Sequence, residues 1–255
     1  MMRSAILTNA RRAFSGRSHS SLAGLQNLGI TRPTKIHRNL TWDQLGEHEK
    51  RNKEGIFVDN GTFAVDTGKF TGRSPNDKWV VKHPSSEKNM DWGKVNKPIP
   101  SEVFDDLYKL CIDHYNKLDE VYVFDGYCGA NPKSQRKVRF VTELAWQSHF
   151  VTNMFIRPSS APADFAPDFT IINACKVVDK DWKKHGLNSE VFIAFNIEKR
   201  VAVIGGTWYG GEMKKGIFSM MNYWLPLSGI MTMHCSANVG KAGDSALFFG
   251  LSGTG

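Results

Sequence analysis

The sequence predicts a mixed α/β domain, and three observations carry that prediction. Short apolar runs recur between turn-forming segments, as buried strands do. Longer stretches place apolar residues at helical spacing. Several strand candidates are joined by short turns, which excludes a purely parallel sheet, because parallel neighbours need a long crossover. With 255 residues, 41% of them hydrophobic and 11% aromatic, the chain is long enough to bury a sizeable core in one or two domains.

In chain order, the folded part opens near residue 30 on a turn-rich lead, Gly29-Ile-Thr-Arg-Pro33. Thr41 and Gln44 have capping-box spacing and start a helix with Trp42 and Leu45 as early apolar contacts. Ile56-Phe-Val58 and Thr62-Phe-Ala-Val65 flank Asp59-Asn-Gly61, the strongest short-range hairpin signal present. A loop over residues 66–77 leads to a strand at 78–81. Ser101 is the expected cap of a helix whose apolar positions are Val103, Phe104, Leu107, Leu110 and Cys111. Further strands are expected at 120–124, 137–141, 169–172, 191–195 and 201–204, the last two as a hairpin. Helices are expected near 144–155 and 213–225. Ala246-Leu-Phe-Phe249 reads as a buried strand, and the run from Ile230 to Cys235 as another.

The formal charge of +8 raises nucleic acid as a partner, and its distribution argues against it. Residues 1–42 contain no Asp or Glu but carry Arg3, Arg11, Arg12, Arg17, Arg32, Lys35 and Arg38. From Asp43 onward 26 basic residues face 25 acidic ones, so the net charge shows no basic footprint on the folded part. The acid-free, Arg- and Ser-rich leader resembles a mitochondrial transit peptide, with Arg12-Ala-Phe14 before Ser15 suited to matrix processing. A disordered basic tail on a cytoplasmic protein is the alternative. No apolar stretch is long enough to span a membrane. Cys111, Cys128, Cys175 and Cys235 are scattered, without paired or zinc-like spacing, which fits a reducing compartment.

Four stretches can carry chemistry. Phe70-Thr-Gly-Arg-Ser-Pro75 puts Arg73 in a glycine-bracketed loop, where its fork can meet a carboxylate or phosphate; alone, it also reads as an exposed turn arginine. Gly205-Gly-Thr-Trp-Tyr-Gly-Gly-Glu-Met-Lys-Lys-Gly216 puts Lys214 and Lys215 at a helix N-terminus, against the helix dipole. Adjacent ammonium groups repel, so a neutral, ligating amine is conceivable there, beside the plainer reading of a solvated basic turn. Met231-Thr-Met-His-Cys-Ser-Ala-Asn238 sets His234 in an apolar strand, as a metal ligand or a satisfied core residue. Finally, Gly250 and Gly255 stand five apart after a strand, as at the front of a phosphate-binding P-loop.

Together these stretches resemble the successive signatures of ATP-dependent phosphoenolpyruvate carboxykinase. Phe70-Thr-Gly-Arg-Ser-Pro-Asn-Asp-Lys78, Tyr209-Gly-Gly-Glu-Met-Lys-Lys-Gly-Ile-Phe-Ser219, Met233-His-Cys-Ser-Ala-Asn-Val-Gly240 and Phe248-Phe-Gly-Leu-Ser-Gly-Thr-Gly255 occur in the family's order. The GTP-dependent relatives carry a cysteine in the P-loop, and 250–255 holds none. With the transit-peptide leader over 1–29, the resemblance implies the carboxykinase N-terminal domain over 30–228 and the first strands of a P-loop-containing nucleotide-binding domain over 229–255. It implies conversion of oxaloacetate and ATP to phosphoenolpyruvate, ADP and carbon dioxide, a gluconeogenic step, and it leaves room for a homo-oligomer.

By the same resemblance, Arg73 binds an oxaloacetate carboxylate and Tyr209 hydrogen-bonds the substrate or the departing carbon dioxide. Lys215, as a neutral amine, and His234 ligate a Mn²⁺ that faces both the substrate and the γ-phosphate of ATP. Lys214 adds charge nearby. Gly250, Leu251, Ser252, Gly253, Thr254 and Gly255 cradle the phosphates of ATP, whose own divalent ion is usually Mg²⁺. The family's P-loop Lys and Thr, and an acidic pair that ligates both metals, fall after residue 255. The chain as given is therefore expected to be inactive alone, with strands 230–235 and 246–249 lacking sheet partners and prone to disorder. Another P-loop small-molecule kinase, and a non-catalytic decoy that binds oxyanions or the parent enzyme, are the alternative readings.

Overall fold

A computed structural model describes residue 22, residues 24–159 and residues 165–251. Of the leader expected over 1–29, residues 1–21 and 23 lie outside the described residues, as do Ser252, Gly253, Thr254 and Gly255 of the expected P-loop. In order, the elements are β1 (Lys35–Arg38), α1 (Trp42–Arg51), β2 (Ile56–Phe57), β3 (Phe63–Ala64), β4 (Lys78–Val81) and β5 (Lys97–Ile99). There follow α2 (Ser101–Tyr115), β6 (Glu120–Cys128), β7 (Arg136–Thr142), α3 (Ala145–Met154), β8 (Phe169–Ala174), β9 (Phe192–Asn196) and β10 (Val201–Gly205). The last are α4 (Gly211–Leu227), β11 (Ser236–Val239) and β12 (Ser245–Phe248).

Eight strands form one sheet in the order β1-β6-β7-β8-β10-β9-β4-β5. Only the β6/β7 and β10/β9 pairs are antiparallel, so the sheet is mixed, as the short turns require. Alternation along β10 shows how the core is divided. Val201 and Val203 face one cluster with Phe104, Leu107 and Cys111 of α2. Ala202 and Ile204 face the other, with Val151 of α3 and Met213, Ile217 and Met220 of α4. Burial of both faces explains why these strands read as apolar runs rather than as alternating ones. Residues 24–30 join the α2 layer: Leu25 and Ile30 are buried, and Leu28 accepts a hydrogen bond from the Tyr108 hydroxyl.

Most expected elements are present, and the departures have physical causes. The Thr41 and Gln44 capping box forms, but Trp42 is half exposed and donates its indole N–H to Asn153 instead of entering the core. Ser101 lies inside α2, one residue after the Pro100 cap position, and caps nothing; Leu110 is exposed on the outer face. Strands β1 and β5 have no apolar pattern, being short edge strands, one of them containing Pro98.

The C-terminal expectations need correction. Residues 230–235 form no strand, so His234 lies in irregular chain, exposed. The strand follows it as β11 and pairs antiparallel with β12, so neither strand lacks a partner. Strand β12 is not buried, since Leu247 and Phe248 are more than half exposed.

Candidate active site

The site is built where β10 hands over to α4. Gly205 closes the strand with no room for a side chain: a Cβ there would lie 2.7 Å from the Val177 carbonyl oxygen. Gly206 follows at φ +75°, a left-handed conformation that favours glycine. The Thr207 hydroxyl then accepts the Tyr209 N–H at 3.2 Å, fixing the turn. A Cβ on Gly211 would strike the Tyr209 ring at 2.3 Å, so the paired glycines let this ring lie over the helix start. Glu212 is in the first turn of α4, a position that the helix dipole favours for an acid. Lys214 is exposed and Lys215 half-buried.

The Arg73 loop reaches the same place from the far side of the sequence. Its base is held at Asp77, buried, which accepts hydrogen bonds from Asn188 Nδ2 (3.0 Å) and Ser189 Oγ (2.9 Å). Its tip is held by the Ser74 backbone N–H, which donates to Glu212 Oε1 at 2.6 Å. Lys78, after the loop, sends Nζ to Asn96 Oδ1 and Ser219 Oγ, both at 3.2 Å. His234 returns from beyond α4 to place Nε2 3.4 Å from Lys215 Nζ, with the Phe218 ring against both groups.

The electrostatics follow from this crowding. Partial burial, with the charges of Arg73 and Lys214, holds the Lys215 amine below the ordinary lysine range. Burial and Arg73 lower Lys78 in the same way, against the opposing pull of Glu212. Burial raises the Glu212 carboxyl, and the Ser74 N–H and Arg73 resist that shift. Arg73, Lys78, Glu212, Lys214 and Lys215 therefore form one electrostatic unit, with His234 against Lys215.

Gly250 and Leu251 are described as exposed chain after β12. No cluster of three His, Cys, Asp or Glu side chains among the described residues could hold a metal. A cleft of about 460 Å³ is lined by Lys69 and Phe70 of the same loop, with Trp182 and Glu190, but by none of the cationic residues above. No described helix is long and apolar enough to cross a membrane.

Comparison with known proteins decides the family. A family model described as phosphoenolpyruvate carboxykinase matches residues 34–255. The chain belongs to the ATP-dependent phosphoenolpyruvate carboxykinase family. It is similar to proteins named phosphoenolpyruvate carboxykinase (ATP) from three bacteria. It is 59% identical to that of Campylobacter lari, over 92% of this chain and 45% of the relative. It is 54% identical to those of Sulfurimonas denitrificans and Leptospira biflexa, over 92% of this chain and 44% of each. The chain thus spans a little under half the length of these relatives. Within this carboxykinase framework, sequence reasoning gave no role to Lys78 or Glu212, although both lie in the quoted motifs. The available signal was Glu212 itself: an acid between two glycines and two lysines, in a turn otherwise built for cations.

Proposed function

We propose that the chain supplies the oxaloacetate- and metal-facing half of an ATP-dependent phosphoenolpyruvate carboxykinase, a gluconeogenic carboxy-lyase. The observation that carries this reading is the convergence of Arg73, Lys215 and His234, remote in sequence, on one cationic surface. Breaking the bond between the β-carboxylate and C3 of oxaloacetate releases carbon dioxide and leaves its electron pair as an enolate. The enolate oxygen then attacks the γ-phosphorus of ATP, and ADP departs. Negative charge grows at each stage, and preorganised cations stabilise it without reorganising. Arg73 pairs with a substrate carboxylate through its guanidinium fork, and Tyr209 hydrogen-bonds the substrate or the leaving carbon dioxide. Lys214 adds positive potential.

Lys215 and His234 fit a divalent metal. Two nitrogens each about 2.1 Å from one ion stand roughly 3.0–3.4 Å apart, and theirs are separated by 3.4 Å. The lowered Lys215 pKa favours the neutral amine that ligation needs. Mn²⁺, when bound, supplies Lewis-acid stabilisation of an enolate oxygen. Residues 250–255 belong to the phosphate end, with Mg²⁺ accompanying ATP. The acid-free leader supports a mitochondrial matrix location, and the exposed β11/β12 ribbon supports a domain boundary near residue 228.

The test is oxaloacetate-dependent formation of ADP and phosphoenolpyruvate by the full-length protein. Replacing Arg73 by Gln should raise the KM for oxaloacetate by about tenfold or more, as losing a charge-assisted bidentate contact does. ADP formation that ignores oxaloacetate would overturn the proposal in favour of a different P-loop kinase.

A further inference from the structure

We propose that Glu212 is a positioning residue, which pins the Arg73 loop to the first turn of α4 and so sets where the Arg73 guanidinium stands relative to Lys215. The inference rests on the carboxykinase reading above. Four observations carry it. The Ser74 N–H to Glu212 Oε1 bond, at 2.6 Å, joins residues 138 apart in sequence. Glu212 is only 6% exposed, so it is not a solvated surface acid. The donor N–H belongs to the residue immediately after Arg73, so the backbone carrying the guanidinium is what is held. The third is that Glu212 interacts electrostatically with Arg73 and Lys78.

The fourth concerns geometry. Asp77 holds only the base of the loop, through Asn188 and Ser189. Arg73 itself is exposed. Glu212 and Lys215 share one helix turn, so one element sets the separation between the loop and the amine. A rigid helix is a better ruler than a loop alone. Burying an acid among cations costs desolvation, and its position in the first helical turn offsets part of that cost.

The experiment compares Glu212→Ala with Glu212→Gln in the full-length protein. The glutamine amide oxygen can still accept the Ser74 N–H; alanine cannot. Glu212→Ala should raise the KM for oxaloacetate about tenfold or more, the size of a lost charge-assisted hydrogen bond, with the KM for ATP unchanged. Glu212→Gln should recover most of that loss. Equal rises in both KM values, or an unchanged KM for oxaloacetate, would overturn the proposal. A second measurement is independent of activity: the Ser74 amide proton in the NMR spectrum of the present chain. It should move upfield in Glu212→Ala and stay near its wild-type position in Glu212→Gln. An unmoved Ser74 amide in the alanine variant overturns the positioning role. Absence of carboxykinase turnover in the unmutated full-length protein would instead sink the functional reading, leaving the NMR result to decide the contact.

Discussion

Lys215 shows how single groups in this site depend on one another. Its amine is held below the usual lysine range first by partial burial, then by Arg73 and Lys214. Each of these disfavours the ammonium form and so favours the neutral amine that a metal ligand must be. The sign for stability follows. A lysine with a depressed folded-state pKa binds fewer protons when folded, so its unfavourable effect is felt at lower pH. That effect disappears as pH rises from the folded value toward the unfolded one. Removing one neighbouring cation must raise the amine again. In the metal-free chain, pH-dependent acylation of Lys215 should report a pKa below that of free lysine, and Arg73→Ala should shift it upward. An unchanged Lys215 pKa in that variant would mean that the Arg73 loop does not stand beside α4.

At the scale of elements, the handover from β10 to α4 sets the site, and glycine decides whether it forms. A methyl group on Gly205 would meet the Phe192 ring at 2.3 Å and the Val177 carbonyl oxygen at 2.7 Å. The ring can shift a little; the backbone oxygen cannot. Gly205→Ala should destabilise the fold by about 1–3 kcal/mol, the usual range for overpacking. Urea denaturation should show this as a lower midpoint at constant slope. The elements that sequence made legible are those with strong local chemistry: the Thr41 cap, the Asp59-Asn-Gly61 turn, and the apolar runs of β6 to β10. Edge strands β1 and β5 escaped because, at 4 and 3 residues with one buried side chain each, they are too short to show an alternating pattern. His234 was misplaced into a strand because the alternating Met231-Thr-Met-His234 imitates one, whereas pairing begins only at Ser236. For the site, motif residues with charge were legible, but not the contact between Ser74 and Glu212, because a backbone donor leaves no mark on residue identity.

Across the whole molecule, one buried ionic cluster ties the edge of the sheet to its centre. Asp125 on β6 accepts from Arg139 Nε (2.6 Å) and Nη2 (3.0 Å) on β7, and from Arg38 at the end of β1. The Asn39 side chain and the Asp125 backbone exchange two further hydrogen bonds. Arg139 continues outward, donating to the carbonyl oxygens of Gly24 and Phe165. The cluster therefore anchors the lead before β1, the β1 edge and the chain before β8 to a single carboxylate. Asp125 and Arg139 are almost fully buried, unlike the exposed Lys109 and Asp113 pair on α2, which should contribute only about 0.3–0.5 kcal/mol. Asp125→Ala would leave two guanidinium groups facing each other without their shared anion. The expected loss is about 3–5 kcal/mol, the range for breaking a buried ion pair from one side. Hydrogen exchange should show the opening first in β1 and in residues 24–30, which this cluster holds through Arg38 and Gly24 in addition to the β1/β6 pairing and the contacts with α2. A loss below about 1 kcal/mol, or protection of β1 unchanged, would show that backbone pairing with β6 alone secures that edge.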